Sequence, residues 1–413
     1  MVLRILAIGD LGDNILILKK ISNSKIHLIN FPRKQAELLT YSGEGLEFFD
    51  SLLISKQVKK IKKIKDDFDL CLVMSWAGAR VAYLAGLNYI FYFTGGDIVT
   101  PPFEKNPKSP YLTTPVYNRN ILERWFYKNV FDKAIACVAP FQEYFDPLKR
   151  YRHDAIRLDQ MTVDTDIFKE SVEPIKLSKN KFTFFSPQKI GKEKGYDIIF
   201  KALKLCKTDF EILQVEWFTE RNEEEKEFNK KLMTPIPPQI KLIPLVKRSE
   251  IPRWYKFADC ILGQMRAGIQ SGIERDAAFC NCPIICYTDP SKPLILDGER
   301  KIPPFLPTNN DPSNLANLID QIVESSKFRE ELATKENDWV KKLCDPKDVA
   351  EKWQEIFEKY HKIFPTINRE ESKLKIYFMN LFSNIVEKFY YKNKMKDKNI
   401  KGWGEAEYTK LTK

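Results

Sequence analysis

The sequence has no apolar run of about 18 residues, so no transmembrane helix is expected. Histidine is nearly absent, with three in 413 residues, and a zinc site would have to gather cysteines from far along the chain. The eight cysteines lie in apolar strings such as DLCLVM and AIACVA, where a thiol behaves as a small buried hydrophobe. Their one cluster, Cys280, Cys282 and Cys286, reads as core packing, and no metal is expected. Scattered thiols fit a reducing, cytoplasmic compartment. The opening MVLRILAIGDLGDN follows neither the signal-peptide nor the transit-peptide pattern. Its glycine loop lacks the third glycine of a dinucleotide fingerprint and carries acids where a pyrophosphate would lie, which disfavours a redox cofactor.

What is present is apolar material for two cores: 43% hydrophobic residues, including 28 Phe and 17 Tyr, in a chain long enough for two domains. The net charge of +11 comes from 67 Lys and Arg against 56 acids, an excess on a mixed surface. It favours anionic partners, namely nucleotide diphosphates, phospholipid headgroups or nucleic acid.

The patterning alternates. Short apolar runs at 2–8, 26–30, 69–75, 89–93 and 134–139 predict strands, separated by helical stretches at 34–40, 46–64, 78–86 and 119–131. After a polar linker near 155–180, strands are predicted at 182–186, 210–215, 240–243, 259–262 and 283–287, with helices at 195–205, 222–232, 249–256 and 272–280. Such alternation implies parallel sheets with helices on both faces, hence α/β architecture and a cleft where ligands meet the carboxyl ends of strands. Residues 311–360 read as helical, and past Pro365 the composition shifts to Lys, Tyr and Phe. The expected division is a 1–170 acceptor-side domain, a 171–345 nucleotide-binding domain, a 346–365 helix crossing back, and a 366–413 basic, aromatic tail.

Three segments could carry chemistry. The first is Gly9–Asn14, where Gly12 lets the backbone approach a ligand and a helix N-terminus follows. The second is SPQKIGKEKG, whose Lys189 and Lys194 could neutralise a departing diphosphate, or form a solvated turn. In the third, residues 259–287, Ser271 and Gly272 start a helix carrying Glu274 and Asp276, so N–H groups could take a phosphate and an acid a vicinal diol. The same acids could be helix caps.

Taken in order, FTGGDI at 93–98, DKAIACVAP at 132–140, VDTDIF at 163–168, SPQKIGKEKG at 186–195, YKFADCIL at 255–262 and ERDAAFCNCPII at 274–285 resemble the motif series of family 4 retaining glycosyltransferases. The resemblance spans about residues 1–360 and implies the GT-B fold, two Rossmann-like doubly wound domains facing across a cleft with a helical C-terminal appendage. It implies a nucleotide-diphosphate sugar donor, UDP- or GDP-linked, no cofactor and no metal. Lys189 and Lys194 take the positions of the family's diphosphate-contacting Arg and Lys, and Asp276 that of its ribose-binding Glu. The family's first Glu is replaced by Gly268, with Glu274 as a substitute through a shifted loop, and no His stands near FTGGDI. Gly95, Gly96 and Asp97 fall on the acceptor side.

A glycan or lipid-linked acceptor is expected, with the basic segments 56–67 and 373–401 suited to the anionic inner surface of a membrane. The rival readings are a sugar-nucleotide epimerase of the same fold, a catalytically silent partner subunit, and a nucleic-acid-binding protein. The last lacks a recognition motif, so no nucleic acid is expected.

Overall fold

The computed structural model describes residues 2–31, 46–116 and 119–364, together with the helical residues Leu374, Tyr377, Phe378, Leu381, Phe382 and Ile385. The helix expected at 34–40 and most of the 373–401 segment lie outside the described residues.

The first sheet contains β1 (Arg4–Ile8), β2 (Lys25–Asn30), β3 (Glu47–Phe48), β4 (Leu70–Met74), β5 (Ile90–Tyr92), β6 (Ala136–Ala139) and β7 (Ile156–Arg157). All pairings are parallel, in the order β3-β2-β1-β4-β5-β6-β7. Its central strands are apolar on both faces because both are covered. Ile5 and Ala7 of β1 join one core and Leu6 and Ile8 the other. Helices α1 (Asn14–Ile21) and α2 (Ile54–Ile64) cover opposite faces, and α3 (Ser75–Ala85) and α4 (Ile121–Asp132) share the face of α2.

The second sheet has β8 (Phe182–Ser186), β9 (Phe210–Val215), β10 (Ile240–Ile243), β11 (Cys260–Leu262) and β12 (Ile284–Ile285) in the parallel order β10-β9-β8-β11-β12. In each sheet the chain builds outward from one central strand, then returns to build the other side. The switch points, where ligands bind in open α/β sheets, therefore lie at β1/β4 and β8/β11.

Some elements depart from the sequence expectation. The predicted 46–64 helix is split: Glu47–Phe48 adds a parallel edge strand to Ile29–Asn30, and the helix starts at Ile54 after a turn in which Ser51 Oγ accepts from the Leu53 amide. Helix α5 (Phe141–Lys149) was not expected, its pattern being interrupted by Pro147. A hairpin, β13 (Leu294–Leu296) with β14 (Glu299–Lys301), also escaped, although the Asp297-Gly298 turn, with φ of 55° and 77°, is a hairpin signature.

Three helices follow: α10 (Pro312–Glu324), α11 (Ser326–Leu343) and α12 (Pro346–Ile363). Helices α10 and α12 begin at Asp caps followed by Pro. Helix α12 leaves the second sheet and packs on α1. Its Trp353, 2% exposed, meets Tyr92 edge-on at 4.9 Å, and Gln354 accepts from Ser24 Oγ at 2.8 Å. Truncation of Trp353 to Ala should cost about 3–5 kcal/mol in a urea unfolding curve, because it opens a cavity where the last helix meets the first domain. A loss below 1 kcal/mol would show that α12 contributes little to that domain.

Candidate active site

The carboxyl ends of the two sheets meet at a cavity of 390 Å³. One wall comes from the loops after β1 and β5, including Gly12, Asn14 and Thr94 to Asp97. The other comes from Arg248 and from the start of α9 (Gly272–Phe279), including Ser271, Gly272 and Arg275. The structure thus brings Gly12, Gly95, Gly96, Asp97, Ser271 and Gly272 onto one cavity, though they lie in three separate stretches of sequence. Gly95 and Gly96 have open space where a Cβ would stand, so this wall is bare backbone.

Lys194 lines an adjoining cavity of 120 Å³, which also touches Gly96, and makes no ion pair or side-chain hydrogen bond among the described residues. Lys189 is turned away: its ammonium lies 4.4 Å over the Trp217 ring. Burial lowers its pKa, and the charges of Lys194 and Arg221 lower it further. The two lysines therefore share an electropositive corner, but only Lys194 lines the adjoining cavity.

The two acids of α9 are engaged inside the protein. Glu274 is fully buried; one oxygen accepts from the Ser271 amide at 2.7 Å and from the Ser271 hydroxyl, the other from the Gln264 amide at 3.0 Å. It ties the β11 loop to the helix start and presents no oxygen to the cleft. Asp276 is also fully buried, 3.0 Å from Arg248 and 3.3 Å from Arg275. Arg248 reaches on to Asp13 of the first domain at 3.0 Å. The expected ribose acid is thus the anchor of a guanidinium pair, and that pair is what lines the cavity.

Sequence reasoning missed Arg248 as a site residue. Its partners Asp13 and Asp276 are 235 and 28 residues away, and VKRSE carries no local signal. It also passed over Gln270, which is 2% exposed and lines a deep 70 Å³ pocket beside Arg275 with neither amide atom hydrogen-bonded. A buried amide without protein partners is a costly arrangement.

Asp97 stands at the end of the loop after β5, with its Oδ1 sealed from solvent and unpartnered. The Trp76 indole donates to its backbone carbonyl at 3.0 Å. Burial raises its carboxyl from 3.8 to about 7, against the opposing pull of nearby backbone N–H groups. A carboxyl poised there can donate or accept a hydrogen bond to a hydroxyl.

Among solved structures, similar folds include sucrose-phosphate synthase from Thermosynechococcus elongatus, with a TM-score of 0.61, 12% identity, and 87% of this chain and 100% of that chain covered. The Anabaena protein HepE in complex with UDP and glucose gives 0.59, 14%, 86% and 100%. A glycosyltransferase from Rickettsia africae gives 0.52, 15%, 87% and 98%. The fold is GT-B. No protein-family model matches the sequence, and no curated protein matches it. At such identities the likeness carries the architecture, and the site must be argued from its own residues.

The cleft offers an anion two guanidinium groups, one ammonium and a helix N-terminus, with a neutral-range carboxyl on the opposite wall. Among the described residues no group of three His, Cys, Asp or Glu is placed to hold a metal ion. The Asp97 carboxyl makes a testable statement about stability. Its folded pKa lies above the unfolded one, so between about pH 4 and 7 the native state binds more protons and stability falls as pH rises. In urea titrations across that window Asp97→Asn should lose this slope; identical slopes in both proteins would place the carboxyl in water.

Proposed function

We propose that the protein is a retaining, metal-independent glycosyltransferase, of family 4 type, that moves a sugar from a UDP- or GDP-linked donor to an acceptor hydroxyl. The supporting observation is the composition of the cleft: cationic groups and a helix N-terminus from the second domain face the bare glycines and Asp97 of the first across one cavity. A nucleotide sugar has matching parts, a diphosphate for the cations and hydroxyls for the opposite wall.

In this reading Lys194, Arg275 and the helix start at Gly272 hold the diphosphate, with the Ser271 amide given to Glu274 behind it. They stabilise the charge that develops as it leaves, the role a divalent cation plays elsewhere. Lys189, held against Trp217, adds positive potential behind Lys194. Asp276 reaches the ribose only if Arg248 swings out of its ion pair; otherwise it acts by positioning Arg248. Gln270 takes sugar hydroxyls where Gly268 has removed the family's first Glu, and Glu274 keeps the loop in place for it. Gly12 and Gly95 to Asp97 admit the acceptor, with Asp97 hydrogen-bonded to the attacking hydroxyl. The acceptor is read as a lipid-linked or cell-surface glycan, with the protein peripheral on the inner face of a membrane. Both 56–67 and 373–401 supply the basic charge for that position. Among the described residues no helix is long and apolar enough to cross a membrane.

Calorimetric titration with UDP and GDP tests the site. One of them should bind, and Lys194→Ala and Arg275→Ala should each weaken it by about 1.5–3 kcal/mol, the range for charge-assisted hydrogen bonds. Lys189→Ala should weaken it less, and excess EDTA should leave the affinity unchanged. If neither nucleotide binds, or both cleft variants bind as well as the parent, the donor site is wrong. Transfer from radiolabelled nucleotide sugars into a lipid extract then identifies donor and acceptor.

A further inference from the structure

The 70 Å³ pocket at Gln270 shares Thr94, Met161, Ser271, Gly272 and Arg275 with the 390 Å³ cleft cavity and adjoins it. The rest of its wall is mostly apolar, from Phe141, Tyr144 and Leu343. Phe141 starts helix α5 with a φ of +54°, a backbone conformation that a bulky residue rarely adopts. Its amide donates to Asp159 Oδ1 at 2.7 Å, and Asp159 is itself buried and paired with Arg157 at 2.8 Å. Strain of this kind persists only where the surroundings enforce it, and it gathers at ligand sites. Here it sets Phe141 into the pocket wall.

Gln270 is the polar group that calls for an occupant. Its Nε2 and Oε1 are both sealed from water and both without a partner. A side chain that gains no hydrogen bond where it lies gives nothing up by turning its amide into the pocket it lines. It then needs a group that accepts a hydrogen bond and also donates one. A carboxylate only accepts, and its charge has no counterpart: Arg248 and Arg275 are already matched by Asp13 and Asp276. A hydroxyl can serve the amide but leaves most of the pocket unfilled, because 70 Å³ is room for about five waters. An acetamido group meets every demand. Its carbonyl accepts from Nε2, its N–H donates to Oε1, and its methyl lies against the apolar wall.

We propose that this pocket receives the acetamido group of the donor, so that the transferred sugar is a 2-acetamido hexose and Gln270 determines that specificity. The inference deepens the donor reading given above and rests on it. Position selects the carbon. Gly272 and Arg275, assigned to the diphosphate, also line the pocket, so the group that enters it must branch beside the anomeric carbon that carries the diphosphate. In a hexose that carbon is C2. The apolar wall and the paired guanidinium groups thus reject a charged substituent at the same place where they accept a neutral amide.

Calorimetric titration of the full chain with UDP, UDP-N-acetylglucosamine, UDP-N-acetylgalactosamine, UDP-glucose and UDP-glucuronate decides it. The better acetamido donor should bind at least about tenfold more tightly than UDP-glucose, because UDP-glucose leaves the amide unpaired. Gln270→Leu should bring the two to parity, with the affinity for UDP alone reporting that the cleft is intact. The same change removes an unpaired buried amide, so the melting temperature should hold or rise. Leu343→Phe, at a position that lines the pocket but not the cleft cavity, should fill the pocket and also bring parity. If GDP binds and UDP does not, the same comparison is made between free N-acetylglucosamine and glucose at saturating GDP. Equal or weaker binding of the acetamido sugars by the parent, tighter binding of UDP-glucuronate, or a preference that survives Gln270→Leu overturns the proposal. Nucleotide binding without sugar discrimination removes the acetamido pocket and keeps the donor site, whereas binding of neither nucleotide removes both.

Discussion

Arg248 links the two domains through a single buried guanidinium. It takes Asp13 from the turn after the first strand and Asp276 from the helix after β11, and all three side chains are nearly removed from water. Its plane lies 5.3 Å from the Phe168 ring, so an aromatic residue of the interdomain connection closes the third side. A buried charge left unpaired is expensive, whereas paired and hydrogen-bonded charges hold a geometry. The bridge therefore sets how far the cleft walls stand apart. It also makes the domains electrostatically dependent: opening them strips Arg248 of Asp13 while Asp276 stays beside it. Any anion entering the cavity would meet a cation that is already held, and would compete with carboxylates for it.

A second connection runs over the mouth of the cleft. The segment after Asp97 leaves the first domain, and its Thr113 and Thr114 donate amide and hydroxyl hydrogens to Glu224 of α7 (Glu223–Leu232) at 2.8–3.2 Å. Partial burial pushes that carboxyl upward, but the hydrogen bonds from Thr114 and Thr113 outweigh it and hold it at about 2. The acceptor is thus fully charged at neutral pH. Ser109 of the same segment donates to Glu193 at 2.5 Å, next to Lys194. A loop that begins at the Gly95–Asp97 wall of the cavity therefore ends hydrogen-bonded to the second domain beside Lys194.

The fold was legible because its signals are local. Runs such as VLRILAI and DLCLVM can satisfy a strand buried on both faces and little else, and Asp-Pro pairs announced the late helices. Glycines and a helix start can be read locally, and Gly12, Gly95, Gly96, Ser271 and Gly272, singled out on those signals, line one cavity. The site was not legible where function depends on partners distant in sequence. Asp276 and Glu274 were chosen by position, but what an acid does depends on what sits against it. Here two guanidinium groups and two backbone amides already use their oxygens. Lys189 and Lys194 looked equivalent at a spacing of five, and only Trp217, from a different strand end, separates them.

The departure at Gly268 has a physical cause in the surrounding chain. Its φ is +72°, and a Cβ there would lie 2.6 Å from the Cβ of Asp289, whose amide donates to the Gly268 carbonyl at 3.0 Å. No glutamate fits that position without moving the Asp289 loop, so glycine there is required by the backbone. The loop between β11 and α9 is instead held from inside: Gln264 donates to the Ile269 and Tyr287 carbonyls and accepts from the Arg266 and Ala267 amides. With Gln264 occupied on both ends, Gln270 is the amide of this loop left with hydrogen-bonding capacity, and it points into the pocket beside Arg275. A neutral amide there adds hydrogen-bonding capacity beside Arg275 without adding negative charge.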